Sequence, residues 1–330
     1  MNFLNTIPYL RILEIVILTY FLLLNITYLI TSVLSFRLLR KYAARLRSIN
    51  VEEMLTSTDV PPVTLLVPAF NEEKNVVDSV RAFLNLSYPD YEIFVINDGS
   101  TDDTLKLLIE QYDLEKHPRA APGNLPTEEI RATYQSREYS RLWVIDKENG
   151  GKSDALNSGL NYCRTPLYCG MDADTILERD ALIRIVRVFL EDVNTIAVGG
   201  ILRVANGCHM ENGRIQEVGL AKSSLARFQV IEYLRAFLTG RMVWAAFRGM
   251  LLISGAFGVF RRESVMAAGG YSSHKNLIPT VGEDMELVVR LHRLCYENNR
   301  TCQVKFIPDP VAWTEVPENL RGVAAQSDRW

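Results

Sequence analysis

Twenty-two consecutive residues without a charge, Ile15 to Phe36 (IVILTYFLLLNITYLITSVLSF), constrain this chain more than any other feature. As a helix the run measures about 33 Å against a hydrocarbon layer of about 30 Å, so it is long enough to cross a bilayer. A cleaved signal peptide and a buried core helix are the competing readings. A signal peptide has a shorter apolar core and a small-residue cleavage site after it, whereas RLLRKYAARLR follows here. The expectation is therefore a transmembrane helix over 15–36. Arg37, Arg40, Lys41, Arg45 and Arg47 follow it and only Arg11 precedes it. By the positive-inside rule, residues 1–14 lie outside and everything after Arg37 is cytoplasmic, at the inner (plasma) membrane. Asn25 and Thr27 in mid-span read as helix-packing contacts rather than a transport site.

Charge separates the head from the body. Residues 1–50 carry six cations against the single acid Glu14, a surplus of five, so a formal charge of −3 for the whole chain leaves −8 on the remainder. A basic head facing membrane lipids on an acidic globular body is the reading, with no nucleic-acid partner. With 48% hydrophobic and 23% charged residues over 330, a disordered tail is excluded. Cys163, Cys169, Cys208, Cys295 and Cys302 are an odd set without CxxC spacing, read as buried or incidental thiols in a reducing compartment.

After a basic, then polar linker (37–62) come short apolar runs: 63–67, 92–96, 142–145, 167–171, 196–198, 251–260 and 303–307. The early ones lead through polar turns into helical periodicity, as in NVVDSVRAFLNL and TDDTLKLLIEQY. Strands alternating with helices imply an α/β domain with a largely parallel sheet, whose ligands bind at the strands' carboxyl ends. Residues 113–141, rich in Pro, Gly and mixed charge, read as a surface excursion. Residues 222–250, with Arg227, Arg235, Arg241 and Arg248 among apolar positions, read as a core or membrane-surface helix pair.

The residues just beyond each strand carry the chemistry. Pro68-Ala69-Phe70-Asn71-Glu72-Glu73 follows the first, and Asn97-Asp98-Gly99-Ser100-Thr101-Asp102 the second. Both sequences suit ordinary turns and caps. Functionally, Phe70 offers a wall for a nucleotide base and Asp98 a partner for its ring N–H. Gly150-Gly151-Lys152-Ser153 invites a P-loop reading, which fails because Asp146 stands where the first glycine belongs. A flexible glycine pair with Lys152 at a helix start remains, suited to a diphosphate. Asp172-Ala173-Asp174 ends the fourth strand; its alternatives are two solvated turn acids or carboxylates that share a hard cation with a diphosphate. Gly282-Glu283-Asp284 opens the helix LVVRLHRL, where acids are favoured by the helix dipole alone, and where Asp284 would serve as a general base. Gln326, Arg329 and Trp330 share a helical face by their spacing.

In order, PAFNEE, NDGSTDDT, NGGKSDALNSG, DAD, SGAFGVFRRE, GED and QSDRW resemble the pattern of glycosyltransferase family 2. The likeness is narrower to the membrane-bound processive synthases of cellulose, hyaluronan, chitin and poly-N-acetylglucosamine, and covers about 63–330. It implies a GT-A fold over 63–330 and an inverting, metal-dependent transfer of a hexose or N-acetylhexosamine from a UDP-sugar to a growing polysaccharide. Carried onto these positions, Phe70, Glu72 and Asp98 would contact the nucleoside, Lys152 the diphosphate, and Asp172 the donor nucleotide and sugar. Asp174 would ligate Mg²⁺ or Mn²⁺. Ser254, Gly255, Ala256 and Glu283 would approach the acceptor, with Asp284 as base, and Gln326, Arg329 and Trp330 would complete the donor and acceptor site. Partners implied are the nucleotide-sugar, a glycan or lipid acceptor, and polysaccharide-export proteins.

Two departures stand out. Asn97 replaces the first of two acids that many relatives carry, and the chain stops at Trp330, where relatives continue into further membrane helices. The expectation is of a chain truncated after QSDRW. Single-step transfer onto a lipid or short glycan, and a membrane-anchored nucleotide-binding protein without chemistry, are the alternatives. A dehydrogenase is disfavoured because no GxGxxG follows the first strand.

Overall fold

A computed structural model describes residues 7–46, 60–211, 214–275 and 282–327. In chain order the elements begin α1 (Ile7–Leu46), β1 (Val63–Ala69), α2 (Val76–Leu84), β2 (Tyr91–Asp98), α3 (Thr104–Gln111), β3 (Leu114–Lys116), β4 (Ile130–Ser136), β5 (Leu142–Lys147), α4 (Lys152–Tyr162), β6 (Leu167–Met171), β7 (Ile176–Leu177) and α5 (Ala181–Glu191). They continue with β8 (Thr195–Val204), β9 (His209–Glu211), β10 (Arg214–Glu217), α6 (Ser224–Leu234), a π-helical segment (Arg235–Arg241), α7 (Met242–Ala246), β11 (Phe257–Arg261), α8 (Arg262–Ala267), α9 (Glu283–Glu297), β12 (Gln303–Thr314) and α10 (Leu320–Ser327).

Among the described residues one sheet runs in the order β3-β4-β5-β2-β1-β6-β11-β8-β12-β7. Its centre, β5-β2-β1-β6, is parallel. Here the strands are continuous apolar runs because helices cover both faces: Val63, Leu65, Leu66 and Val67, and Ile93, Phe94, Val95 and Ile96, are all buried. The helices supply their own stripes. Val76, Val80 and Phe83 of α2 recur at helical spacing, as do Leu182, Ile185, Val186 and Phe189 of α5. β11 runs antiparallel to both its neighbours, β6 and β8, which inserts the SGAFGVFRRE segment beside the strand that ends in the Asp172–Asp174 turn.

Several expectations change. The stretch 113–141 is more than a surface excursion: β3 and β4 extend the sheet edge antiparallel from β5. The apolar run 251–260 is strand only from Phe257. Cys295 and Cys302 form a disulfide rather than standing as thiols, while Cys163 and Cys169 are buried as free thiols. The first part of the 37–62 stretch is no linker, because α1 continues without a break to Leu46; residues 47–59 lie outside the described residues.

α1 is apolar and long enough to cross a membrane, and none of its most apolar window is buried. Among the described residues Asn25 and Thr27 are exposed and pack on no other element. Asn25 Nδ2 donates to the Phe21 carbonyl (2.7 Å) and Thr27 Oγ1 to the Leu23 carbonyl (2.9 Å), each satisfied within its own helix. The carboxyl-terminal end is different: Leu38, Leu39 and Tyr42 pack on the main core. The Tyr42 hydroxyl donates to Asp309 Oδ2 (2.5 Å) and accepts from Arg187 Nη2 (2.7 Å), and Arg45 pairs with Glu191 (3.2 Å). Ser35 donates to the Leu238 carbonyl, and Arg235 lies 5.9 Å from the Tyr28 ring centre. So the expected helix pair over 222–250 is one helical run over 224–246, α6 through the π segment to α7, of which the π segment and α7 lie along α1. Phe228, Ile231 and Trp244 of this run, and Phe247 just after it, are exposed.

Candidate active site

The turn after β2 is built around Asp98. Gly99 takes φ +69°, and a side chain there would meet the Asn149 backbone nitrogen at 2.8 Å. This close approach brings the 148–151 loop over Asp98, whose carboxylate accepts from the Gly150 and Gly151 amides (3.0 and 2.7 Å) and from Lys147 Nζ (2.6 Å). Lys147 is fully buried and also pairs with Asp154 at 2.7 Å. Asp98 is only 3% exposed. The residue expected to meet a base is thus turned inward, and its visible work is to hold the glycine loop and the start of α4. Asn97 is equally buried, donating to Asp146 (2.7 Å).

That loop delivers Lys152 to the first turn of α4. Its ammonium sits 2.5 Å from Asp172 Oδ1 and 3.9 Å from Glu283 Oε1, and donates to the Gly255 carbonyl at 3.3 Å. Four segments distant in sequence therefore converge: the α4 start, the turn after β6, the approach to β11 and the α9 start. Burial opposes the Lys152 charge, but Asp172, Asp284 and Glu283 outweigh it and raise its pKa. Gly255 has a steric reason to be glycine, since the Asp284 carboxylate occupies the space that a Cβ would fill.

These groups line a cavity of about 910 Å³ beyond the carboxyl ends of the strands, walled by Lys152, Asp172, Asp174, Ser254, Gly255 and Ala256. Burial pushes Asp284 up to about 7, with Glu283 and Asp172 adding to the effect while Lys152 and a Gly255 backbone hydrogen bond oppose it. Asp174 is exposed at the cavity mouth, yet the walls around it and then Asp172 raise its pKa. Glu72 is raised by burial and then by the charges of Asp174 and Asp172, though it does not line the cavity. Phe70 projects from the end of β1, 49% exposed, and does not line the cavity. The side chains of Gln326, Arg329 and Trp330 lie outside the described residues, so their expected place is not part of this geometry.

The described residues contain no cluster of three or more metal-ligating side chains. The site nevertheless fits a hard divalent cation of the kind that keeps water and substrate oxygens in its shell. Among the described residues Asp174 forms no ion pair; burial and then Asp172, a second carboxylate two residues away, raise its pKa against a hydrogen bond from its own backbone, and a cation would relieve that repulsion.

Arg241, Tyr233 and Glu315 line the cavity as well. The sequence motifs did not single them out for the site, because each belongs to a segment that only the fold brings there. A separate cavity of about 590 Å³, bordered by Arg261, Glu263 and the Cys295–Cys302 disulfide, holds none of these groups.

A family model described as "Glycosyltransferase like family 2" matches residues 124–330, and one described as "Glycosyl transferase family 2" matches 64–120. The poly-beta-1,6-N-acetyl-D-glucosamine synthase of Staphylococcus aureus (strain COL) is 26% identical over 284 residues, covering 86% of this chain and 57% of that protein. The Staphylococcus epidermidis enzyme of the same name is 25% identical over 315 residues, covering 95% and 63%. The chain thus spans less than two thirds of the length of these curated relatives. Among solved structures, the mannosyltransferase PcManGT from Pyrobaculum calidifontis, in complex with GDP-Man and Mn²⁺, superposes with a TM-score of 0.56 at 19% identity. The alignment covers 92% of this chain and 71% of that one. The likeness shows a shared fold, the GT-A arrangement.

Proposed function

This chain belongs to glycosyltransferase family 2, and from that premise we propose that it is an inverting, metal-dependent transferase acting on a UDP-sugar. One observation carries the reading: Lys152, paired with Asp172, stands at a helix N-terminus in the same cavity as Asp174 and close to Asp284. A nucleotide-sugar needs a cationic place for its diphosphate, a donor-side carboxylate and a base for the incoming hydroxyl; the cavity lining supplies the first two, and Asp284, packed against Gly255 of that lining, would supply the third. Asp174 is the residue to hold Mg²⁺ or Mn²⁺, which when bound would supply charge for the diphosphate. Lys152 and the α4 N-terminus would add their own positive charge there. Asp172 would orient the donor sugar through the carboxylate edge that Lys152 leaves open. Ser254, Gly255 and Ala256 would seat the acceptor, and Glu283 would lie on that side.

Asp284 would take the proton from the acceptor hydroxyl as its oxygen attacks the anomeric carbon from the face opposite the leaving diphosphate. A single displacement with one base inverts that carbon. A carboxylate pushed up to about 7 is better matched to a proton in flight at neutral pH than an ordinary aspartate. The likeness to the two staphylococcal poly-beta-1,6-N-acetyl-D-glucosamine synthases supports N-acetylglucosamine as the sugar and a β-linked polymer as product. The cations that follow the apolar run support a cytoplasmic catalytic domain on a membrane anchor, with a growing glycan as acceptor. Buried Asp98 is reassigned from nucleoside contact to support of the glycine loop, which leaves Phe70 and Glu72, beside the cavity rather than in its lining, as the proposed nucleoside contacts.

The test is transfer from labelled UDP-N-acetylglucosamine, UDP-glucose and UDP-glucuronate with Mn²⁺ or with chelator, reading released UDP and product size. UDP release that needs metal, with a ladder of products from the N-acetylglucosamine donor, is the expected result. Metal-independent turnover removes the cation from the reading, and a single-sized product replaces polymerisation by one-step transfer. Asp284→Asn should bind donor and transfer nothing; an active variant removes the base assignment.

A further inference from the structure

Arg241 is the cation that the sequence motifs leave out. It closes the π-helical segment and lines the same cavity as Lys152, Asp172 and Asp174. Its guanidinium lies 4.1 Å from the Phe237 ring centre, a stack that covers one face of the planar group and leaves its N–H edge. Among the described residues no hydrogen bond or ion pair reaches that edge, and Nη1 is buried without a partner. Asp284 is close enough for its charge to be felt there, yet the two form no ion pair, and burial holds the Arg241 pKa down to about 10. Arginine is not neutralised at working pH, so this half-buried cation keeps one N–H group, on Nη1, out of water with nothing among the described residues to accept from it. π segments recur at functional sites because the extra residue per turn turns a side chain out of the regular helical register.

We propose that Arg241 binds the diphosphate of the nucleotide-sugar from a different wall of the cavity than Lys152. The inference rests on the nucleotide-sugar reading above and adds a residue to it. Lys152 is already committed to Asp172 at 2.5 Å, so its charge is largely answered by the protein itself. Arg241 is not. A sugar hydroxyl is neutral and leaves a half-buried guanidinium uncompensated, whereas two phosphate oxygens match its planar fork and its charge together. In the transfer, a bond forms from the acceptor oxygen to the anomeric carbon while the bond from that carbon to the β-phosphate oxygen breaks. The proton goes to Asp284 and the electron pair leaves with UDP. The additional negative charge appears on the β-phosphate, where the Arg241 N–H groups would receive it.

The test uses the full chain in lipid nanodiscs with Mn²⁺, titrated with UDP by calorimetry and with uridine by ligand-observed NMR. Arg241→Met should weaken UDP binding about 10- to 100-fold, the size of a lost charge-assisted hydrogen bond, and leave uridine binding unchanged. Arg241→Lys, which keeps the charge without the fork, should fall between the two. UDP affinity unchanged in Arg241→Met overturns the proposal. So does a parallel loss of UDP and uridine binding, which is what a purely structural arginine would give. If the unaltered chain binds no UDP with Mn²⁺, the nucleotide-sugar reading falls and takes this inference with it, so the two failures are told apart.

Discussion

Replacing Asp284, the proposed base, should make the protein more stable, and only at one end of the pH scale. Asp284 is held up to about 7, against an ordinary value of 3.8, mainly because folding buries it beside Glu283 and Asp172. Below about pH 4 the folded and unfolded chains both hold this proton and the group is neutral to stability. Between about 4 and about 7 only the folded chain holds it, so stability falls by about 1.4 kcal/mol per pH unit. Above about 7 both states are ionised and the full penalty, about 4 kcal/mol at most, stays constant. Asp284→Asn removes the charge while keeping the shape, so its advantage over the parent should be absent near pH 4, grow through pH 5 and 6, and level off above 7. At about 2 °C per kcal/mol for a domain of this size, the plateau corresponds to a melting-temperature rise of at most about 8 °C. The assay is thermal unfolding of both proteins at one scan rate from pH 4.5 to 8.5, followed by fluorescence. An Asn variant no more stable than the parent at pH 8, or equally more stable at both ends, refutes the account of Asp284 as a carboxylate ionised against its surroundings.

Other outcomes follow from the same geometry. In the parent enzyme kcat should fall with unit slope below about pH 7 as Asp284 takes up its proton; a flat profile down to pH 5 assigns the base elsewhere. Asp174→Asn should abolish the Mn²⁺ dependence of UDP binding while leaving metal-free binding intact, as read by calorimetry with and without chelator. Lys147→Met strands Asp98 and Asp154 as buried charges without their cation, and should cost about 3 to 5 kcal/mol in urea unfolding. Tyr42→Phe removes the hydroxyl between Asp309 and Arg187 and should cost about 1 to 3 kcal/mol; protease sensitivity of the α1 junction should rise with it, and unchanged cleavage rates would count against the clamp.

The sequence is most informative where local chemistry and fold coincide. The parallel core is readable because uninterrupted runs such as Val63–Val67 and Glu92–Ile96 belong to strands covered on both faces. Asp172, Lys152 and Asp284 are visible as candidates because each follows a strand or opens a helix. Asp98 is different: its NDGS setting reads the same whether the carboxylate faces ligand or interior, and the decision rests with Lys147, a buried cation 49 residues away. Arg241 was one of four arginines in an apolar stretch, and nothing in 222–250 marks the π segment that turns it into the cavity. β3 escaped because an edge strand carries polar residues and needs no apolar run, and β4, between β3 and β5, because its half-exposed residues IRATYQS alternate polar with apolar. The Cys295–Cys302 pair escaped because a spacing of seven is no signature; the turn between α9 and β12 brings the two together.

The clamp on α1 bears on how such a protein would meet its substrates. A catalytic domain on a flexible tether sweeps a volume, and its cavity points in every direction in turn. Here Tyr42, Arg187 and Asp309 fasten the far end of the apolar helix to the domain, and the segment that lies against Ser35 and Tyr28 is the one that ends in Arg241. A bilayer around α1 would therefore hold the cavity at a set height and bearing. A soluble nucleotide could arrive from three dimensions, but an acceptor growing at the membrane would meet the site by a search confined to two, at a fixed angle of presentation.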